Sequence, residues 1–174
     1  MCSYSSRVCG GLAVLLLATA PRAQAQELDA NLSFLKPLLG TTWVGRYVPS
    51  DEDDVTHVVH WEAILSGKAV RKTKRVPELN FAEENLYYWD WEENAVVFAG
   101  VTNRGQVLRG TIYKEEGLIV LRGAWTDDET SHEFALTLEV LPDGRLQDKY
   151  YNIVDGAWQQ GHLIDYRREG DPRR

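Results

Sequence analysis

The chain's four histidines are the first place to look for chemistry at neutral pH. His57-Val58-Val59-His60 has the look of a metal pair, but the segment reads as a strand. Residues three apart on a strand point to opposite faces, so the two rings cannot hold one ion. No cysteine lies beyond Cys9 to complete a zinc site, and no metal is expected. Ser131 and His132 are sequential and face opposite ways, which excludes a nucleophile–base dyad. Glu83-Glu84, Glu92-Glu93 and Glu115-Glu116 fall at predicted turns and read as solvated hairpin ends. Asp51-Glu52-Asp53-Asp54 lacks the glycine and closing Glu of a calcium loop. Neither a G-x-S-x-G elbow nor a phosphate-binding glycine loop is present. The chemistry that remains is binding, not catalysis.

The candidate binding residues are aromatic with a few polar partners. Trp61 sits on one predicted strand, and Tyr87, Trp89 and Trp91 share a face of another. Tyr150 is placed to join them across a barrel. His132 shares a face with Phe134, Leu136, Leu138 and Val140. On the last strand, alternation groups His162 with Trp158, Gln160, Ile164 and Tyr166. Asp148 alternates with Leu146 and Tyr150, and Arg109 with Val107 and Tyr113; either charge needs a partner if buried. A buried Arg109 would suit a ligand carboxylate. The expected site set is Trp61, Tyr87, Trp89, Arg109, His132, Tyr150 and His162.

The elements that must position these side chains are strands. Turn material recurs at Ser66-Gly67, Glu93-Asn94, Asn103-Arg104-Gly105, Glu116-Gly117, Asp127-Asp128, Pro142-Asp143-Gly144 and Asp155-Gly156. Between these lie segments rich in Val, Ile, Thr, Trp and Tyr. The pattern predicts strands at 42–48, 56–65, 68–76, 85–91, 95–102, 106–113, 118–125, 131–140, 145–153 and 158–167. Ahead of them, residues 32–39 predict one or two helical turns, with Asn31 as cap and Gly40 as stop. Consecutive hairpins of this number build an antiparallel meander, and closing it into an up-and-down barrel removes both edges. The alternative, a two-sheet sandwich with a dry core, sits less easily with faces that mix aromatics with His and Gln. A ten-stranded barrel is too wide to fill completely with side chains, so a cavity is expected.

Export is expected from the first segment. Arg7 precedes the apolar run from Gly10 to Ala20, which falls short of the roughly 20 residues that span a bilayer core. Ala23-Gln24-Ala25 is an A-x-A site, with cleavage expected after Ala25. Both cysteines lie within this segment, so the remainder is expected to fold without a disulfide. The organisation read from this is a signal peptide at 1–25, an N-terminal segment at 26–31, a barrel domain at 32–168 and a tail at 169–174. A formal net charge of −7 gives no reason to bind nucleic acid or an anionic membrane surface. No membrane insertion is expected, and the oligomeric state stays open.

Leu35-Lys36-Pro37-Leu38-Leu39-Gly40-Thr41-Thr42-Trp43-Val44-Gly45 resembles the opening of calycin-type barrels, where a short helix closes the barrel before a tryptophan enters the first strand. Trp61-Glu62-Ala63-Ile64-Leu65-Ser66-Gly67-Lys68, Leu86-Tyr87-Tyr88-Trp89-Asp90 and Tyr166-Arg167-Arg168 are similar to pieces of secreted bacterial calycin-like domains, over about residues 32–168. The Gly40-to-Trp43 spacing is one residue longer than the Gly-x-Trp of lipocalins and nitrobindins. The resemblance implies that Trp43 plugs the barrel bottom, with Arg167 or Arg168 packed on its ring by a cation–π contact. It also implies a late-strand histidine, here His162 after Gly161, which in nitrobindin-type domains ligates haem iron.

These readings converge on an exported, non-enzymatic barrel without a cofactor that binds a mostly apolar molecule the size of a retinoid or fatty acid. Two alternatives remain open: a haem-binding nitrobindin-like barrel, and an envelope interaction module that holds no ligand.

Overall fold

A computed structural model describes residues 27–49, 55–128 and 130–171. The expected signal peptide with its cut after Ala25, the Asp51–Asp54 loop and the last three residues of the tail lie outside the described residues.

Ten antiparallel strands run in up-and-down order: β1 (Thr42–Tyr47), β2 (His57–Ile64), β3 (Ala69–Val76), β4 (Phe81–Asp90), β5 (Ala95–Thr102), β6 (Val107–Glu115), β7 (Leu118–Thr126), β8 (Ser131–Val140), β9 (Leu146–Val154) and β10 (Ala157–Arg168). β1 pairs with both β2 and β10, so the sheet closes into a barrel with no free edge. The expected class and strand number are as found. The boundaries agree within two residues except at β4, which starts four residues earlier than expected. Glu83 and Glu84 therefore stand inside a strand, paired with Lys74 and Thr73 of β3, and not at a turn.

Ahead of β1 a 3₁₀ helix covers Ala30–Leu38. Its cap is Asp29 and not Asn31: the Asp29 carboxylate accepts from the Asn31 backbone N–H at 3.0 Å. Leu32, Leu35 and Leu38 are fully buried and close the lower end of the barrel. There Trp43 donates its indole N–H to the Leu38 carbonyl at 3.1 Å, so its one polar atom is satisfied in a dry surround. The Arg168 guanidinium lies 5.3 Å from the Trp43 ring centre. The plug and its basic partner are as the resemblance implied, and Arg168 is the partner.

Alternation places Trp61, Tyr87, Phe98, Phe134, Ile164 and Tyr166 inside the barrel. It fails at one strand. β10 carries a β-bulge between Gln160 and Leu163, where the register against β9 slips by one residue. His162, Ile164 and Tyr166 face inward as expected. Trp158 and Gln160, expected beside them, lie beyond the bulge and are exposed, and Trp158 packs outside against Tyr151 and Arg122. Gly161 is the residue that permits this, since a Cβ there would sit 2.9 Å from the Tyr150 ring.

Candidate functional site

The strands leave a chamber of about 120 Å³ in the upper half of the barrel, the end away from the helix. One wall is a continuous set of rings. His162 and Tyr150 stack in parallel at 4.9 Å, and Tyr150 stacks on Phe134 at 5.8 Å. Phe98 continues the wall from β5, 6.2 Å from Phe134. At the rim, Trp125 and His132 stack at 3.9 Å, and the Trp125 N–H donates to the Tyr150 hydroxyl at 3.3 Å. Each ring comes from an inward position of its strand, so the sheet itself sets their order.

The opposite side is ionic. β3 runs Ala69-Val70-Arg71-Lys72-Thr73-Lys74-Arg75-Val76. Val70 and Val76 are buried, so Lys72 and Lys74 between them face the interior. Lys72 donates to Glu83 at 2.9 Å, and both side chains are only 10% exposed. Asn85 donates to the same Glu83 oxygen at 2.5 Å. Gly100 lies against Asn85, where a Cβ would overlap the amide oxygen. Burial works against the Glu83 anion. The charges of Lys72 and Lys74, with the hydrogen bonds from Lys72 and Asn85, outweigh it and hold its pKa at about 2. Burial likewise opposes the Lys72 cation, but Glu83 raises its pKa above the ordinary lysine range. The pair is thus ionised at neutral pH.

Two further interior charges are less well matched. Asp148 is buried on β9 with one carboxylate oxygen lacking a hydrogen-bond partner among the described residues. Burial raises its pKa, against the pull of Lys74 and Lys72. Lys74 makes no hydrogen bond or ion pair among the described residues; burial lowers its pKa, against Glu83 and Asp148. Nearby, Tyr47 stands edge-on between His57 and His162, at 4.6 and 5.3 Å. Burial, followed by the Lys74 charge, lowers the His57 pKa to about 3 and that of His162 to about 4. Both imidazoles are neutral at pH 7, and both nitrogens of His57 lack a partner among the described residues.

Among the expected site residues, Tyr87, Tyr150 and His162 line the chamber, and His132 stands at its rim against Trp125. Trp61 is inside but lower, packed 5.1 Å from Tyr87 and bordering only a water-sized gap of about 10 Å³. Trp89 packs against the core without reaching the chamber, and Trp91, expected on its face, lies past the strand end and is 85% exposed. Arg109 is corrected: it is on the outer face, because Leu108 and Ile112 take the inward positions of β6. Both faces of β6 carry apolar residues, so the pattern alone could not orient it. Sequence reasoning missed Lys72, Lys74, Glu83 and Asn85. The signal was there: two lysines alternate between two valines that must share their face.

A haem does not fit this chamber. About 120 Å³ is well below the roughly 300 Å³ at which pockets for drug-sized ligands begin. The His162 ring is held face-on by Tyr150 and edge-on by Tyr47, and the space beside it is bounded by charged Lys72, Lys74 and Glu83.

The fold and chamber define a closed ten-stranded antiparallel barrel with a mixed ionic and aromatic interior. No protein-family model matches the chain, and no curated protein does. Among solved structures it is similar to Rv2717c from M. tuberculosis, with a TM-score of 0.53 and 16% identity, over 82% of this chain and 99% of that one. At that identity the likeness establishes the shared fold.

Proposed function

We propose that the protein is an exported binding barrel, periplasmic or extracellular, that takes one small, mostly apolar molecule into its upper chamber and catalyses no reaction on it. The observation that carries this reading is the chamber itself: a ring-walled space in the interior of a barrel whose other end is closed by the helix and Trp43. Its volume narrows the ligand. An engineered apolar cavity of roughly 150 Å³ takes up benzene, so about 120 Å³ suits a single ring or a short branched chain and not a retinoid. Supporting the non-catalytic reading, the buried Lys72–Glu83 pair is tied up in its own hydrogen bonds. Export is supported by the apolar run and A-x-A site ahead of residue 26.

The test is a fluorescence titration with one-ring compounds and, in parallel, long-chain fatty acids. Trp125, on the chamber wall, is the reporter. The one-ring compounds are expected to change emission saturably and the long chains are not, and Trp125→Phe should remove most of the change. No saturable response from any compound would favour the interaction module with an empty barrel.

A further inference from the structure

We propose, resting on the binding reading above, that the chamber's ligand is a carboxylic acid and that Lys74 receives its carboxylate, with His162 as a second donor. The interior cations and anions do not pair off completely. Lys72 and the Asn85 amide N–H both donate to Glu83, while the Asn85 Oδ1 has no partner among the described residues. Asp148 lies deeper, beside the gap bounded by Trp61, Lys72 and Tyr166, and does not line the chamber. Lys74 does line it, and its ammonium has no hydrogen-bond or ion-pair partner among the described residues. Lys74 is half-buried, and the charges of Glu83 and Asp148 act on it without a direct contact, so its N–H donors are there for an anion that enters the chamber.

A second donor fits the same occupant: His162 lines the chamber together with Lys74. A neutral imidazole carries one N–H donor, which a carboxylate oxygen can use. Among the described residues Glu83 is the one anion on the chamber wall, and its contacted oxygen is already occupied by Lys72 and Asn85. The rings of Phe98, Phe134 and Tyr150 then hold the apolar body of the acid. With a chain net charge of −7, the long-range field repels anions, so a preference for acids can only be local.

The experiment compares phenylacetate with phenylacetamide, which has nearly the same shape and no charge. Wild type should bind the acid at least about tenfold tighter at pH 7. In Lys74→Met the ratio should fall to about one with amide binding retained, while Lys74→Arg keeps a preference for the acid. Equal binding of acid and amide by wild type overturns the inference and leaves the binding reading standing. So does a preference that survives Lys74→Met. If neither compound nor any other one-ring ligand binds, the binding reading falls and this inference with it. Should Lys74→Met fail to fold, the wild-type ratio and the Lys74→Arg variant decide.

Discussion

The two ends of this barrel solve opposite problems. The lower end is apolar and closed: three leucines of the helix and Trp43 are fully buried, and the one indole N–H there has its carbonyl. The upper half keeps ionised groups, and polar atoms with no partner among the described residues, around a space. Burial of apolar surface makes the lower end a source of stability. The upper half gives some of that up, because buried charges and unmatched polar atoms oppose folding. Where a protein departs from good packing in this way, a binding site is the expected reason.

The largest effects should separate the two ends. Trp43→Ala opens a cavity in the closed end and should cost about 3–5 kcal/mol in urea denaturation, leaving ligand affinity of the folded fraction unchanged. Lys72→Met should cost a similar 3–5 kcal/mol for another reason: it strands the Glu83 carboxylate. The double variant Lys72→Met/Glu83→Met should recover most of that loss. If the double is as unstable as the single, the ion pair is not what the upper half rests on.

Acid should weaken the upper half selectively. His57 and His162 have pKa values of about 3 and 4 in the fold, below the ordinary 6.5. The unfolded chain therefore binds more protons, and stability is full above pH 6.5 and lost as pH falls through that window. Each histidine contributes a slope of about 1.4 kcal/mol per pH unit where it is neutral folded and charged unfolded. Glu83, held at about 2 against an ordinary 4.5, adds a second loss below pH 4.5. Urea midpoints at pH 7 and pH 5 check this, and His57→Phe should flatten the upper part of the profile. A flat profile in the parent protein between pH 6.5 and 5 would count against the buried neutral histidines.

The contrast between the two ends also explains which parts of the molecule could be read ahead of the structure. Strand number and barrel closure follow from turn spacing and apolar alternation, which the lower end obeys, and the Trp43 plug from the resemblance to calycin-type barrels. β8 alternates in sequence, and that pattern is enough to assign its inward face. The upper half breaks those rules around the chamber. Lysine on a strand is outward by default, so Lys72 and Lys74 pass unnoticed unless Val70 and Val76 are used to fix the face. Glu83 looks like turn material because acidic pairs end hairpins elsewhere in this chain. The β10 bulge hides at Gly161 and reverses the facing of Trp158 while leaving His162 inside. A one-residue slip flips every side chain, and a lone glycine was the only sign of it.

The smallest effect concerns the outside of the plug. Arg168 is exposed, so Arg168→Ala should lower stability by no more than about 1 kcal/mol by thermal or urea melts. A larger loss would mean that the closed end depends on its charged cover as well as its apolar filling.

The central claim is that the upper chamber is where a ligand sits, and filling it tests this most directly. Leu136 lines the chamber, and Leu136→Phe adds bulk there without touching the charges. Calorimetric titration with phenylacetate should show saturable one-to-one binding to the parent protein and none to the filled variant, with the variant still cooperatively folded. Unchanged binding to a folded Leu136→Phe protein, or no binding to the parent by any one-ring compound, would contradict the account.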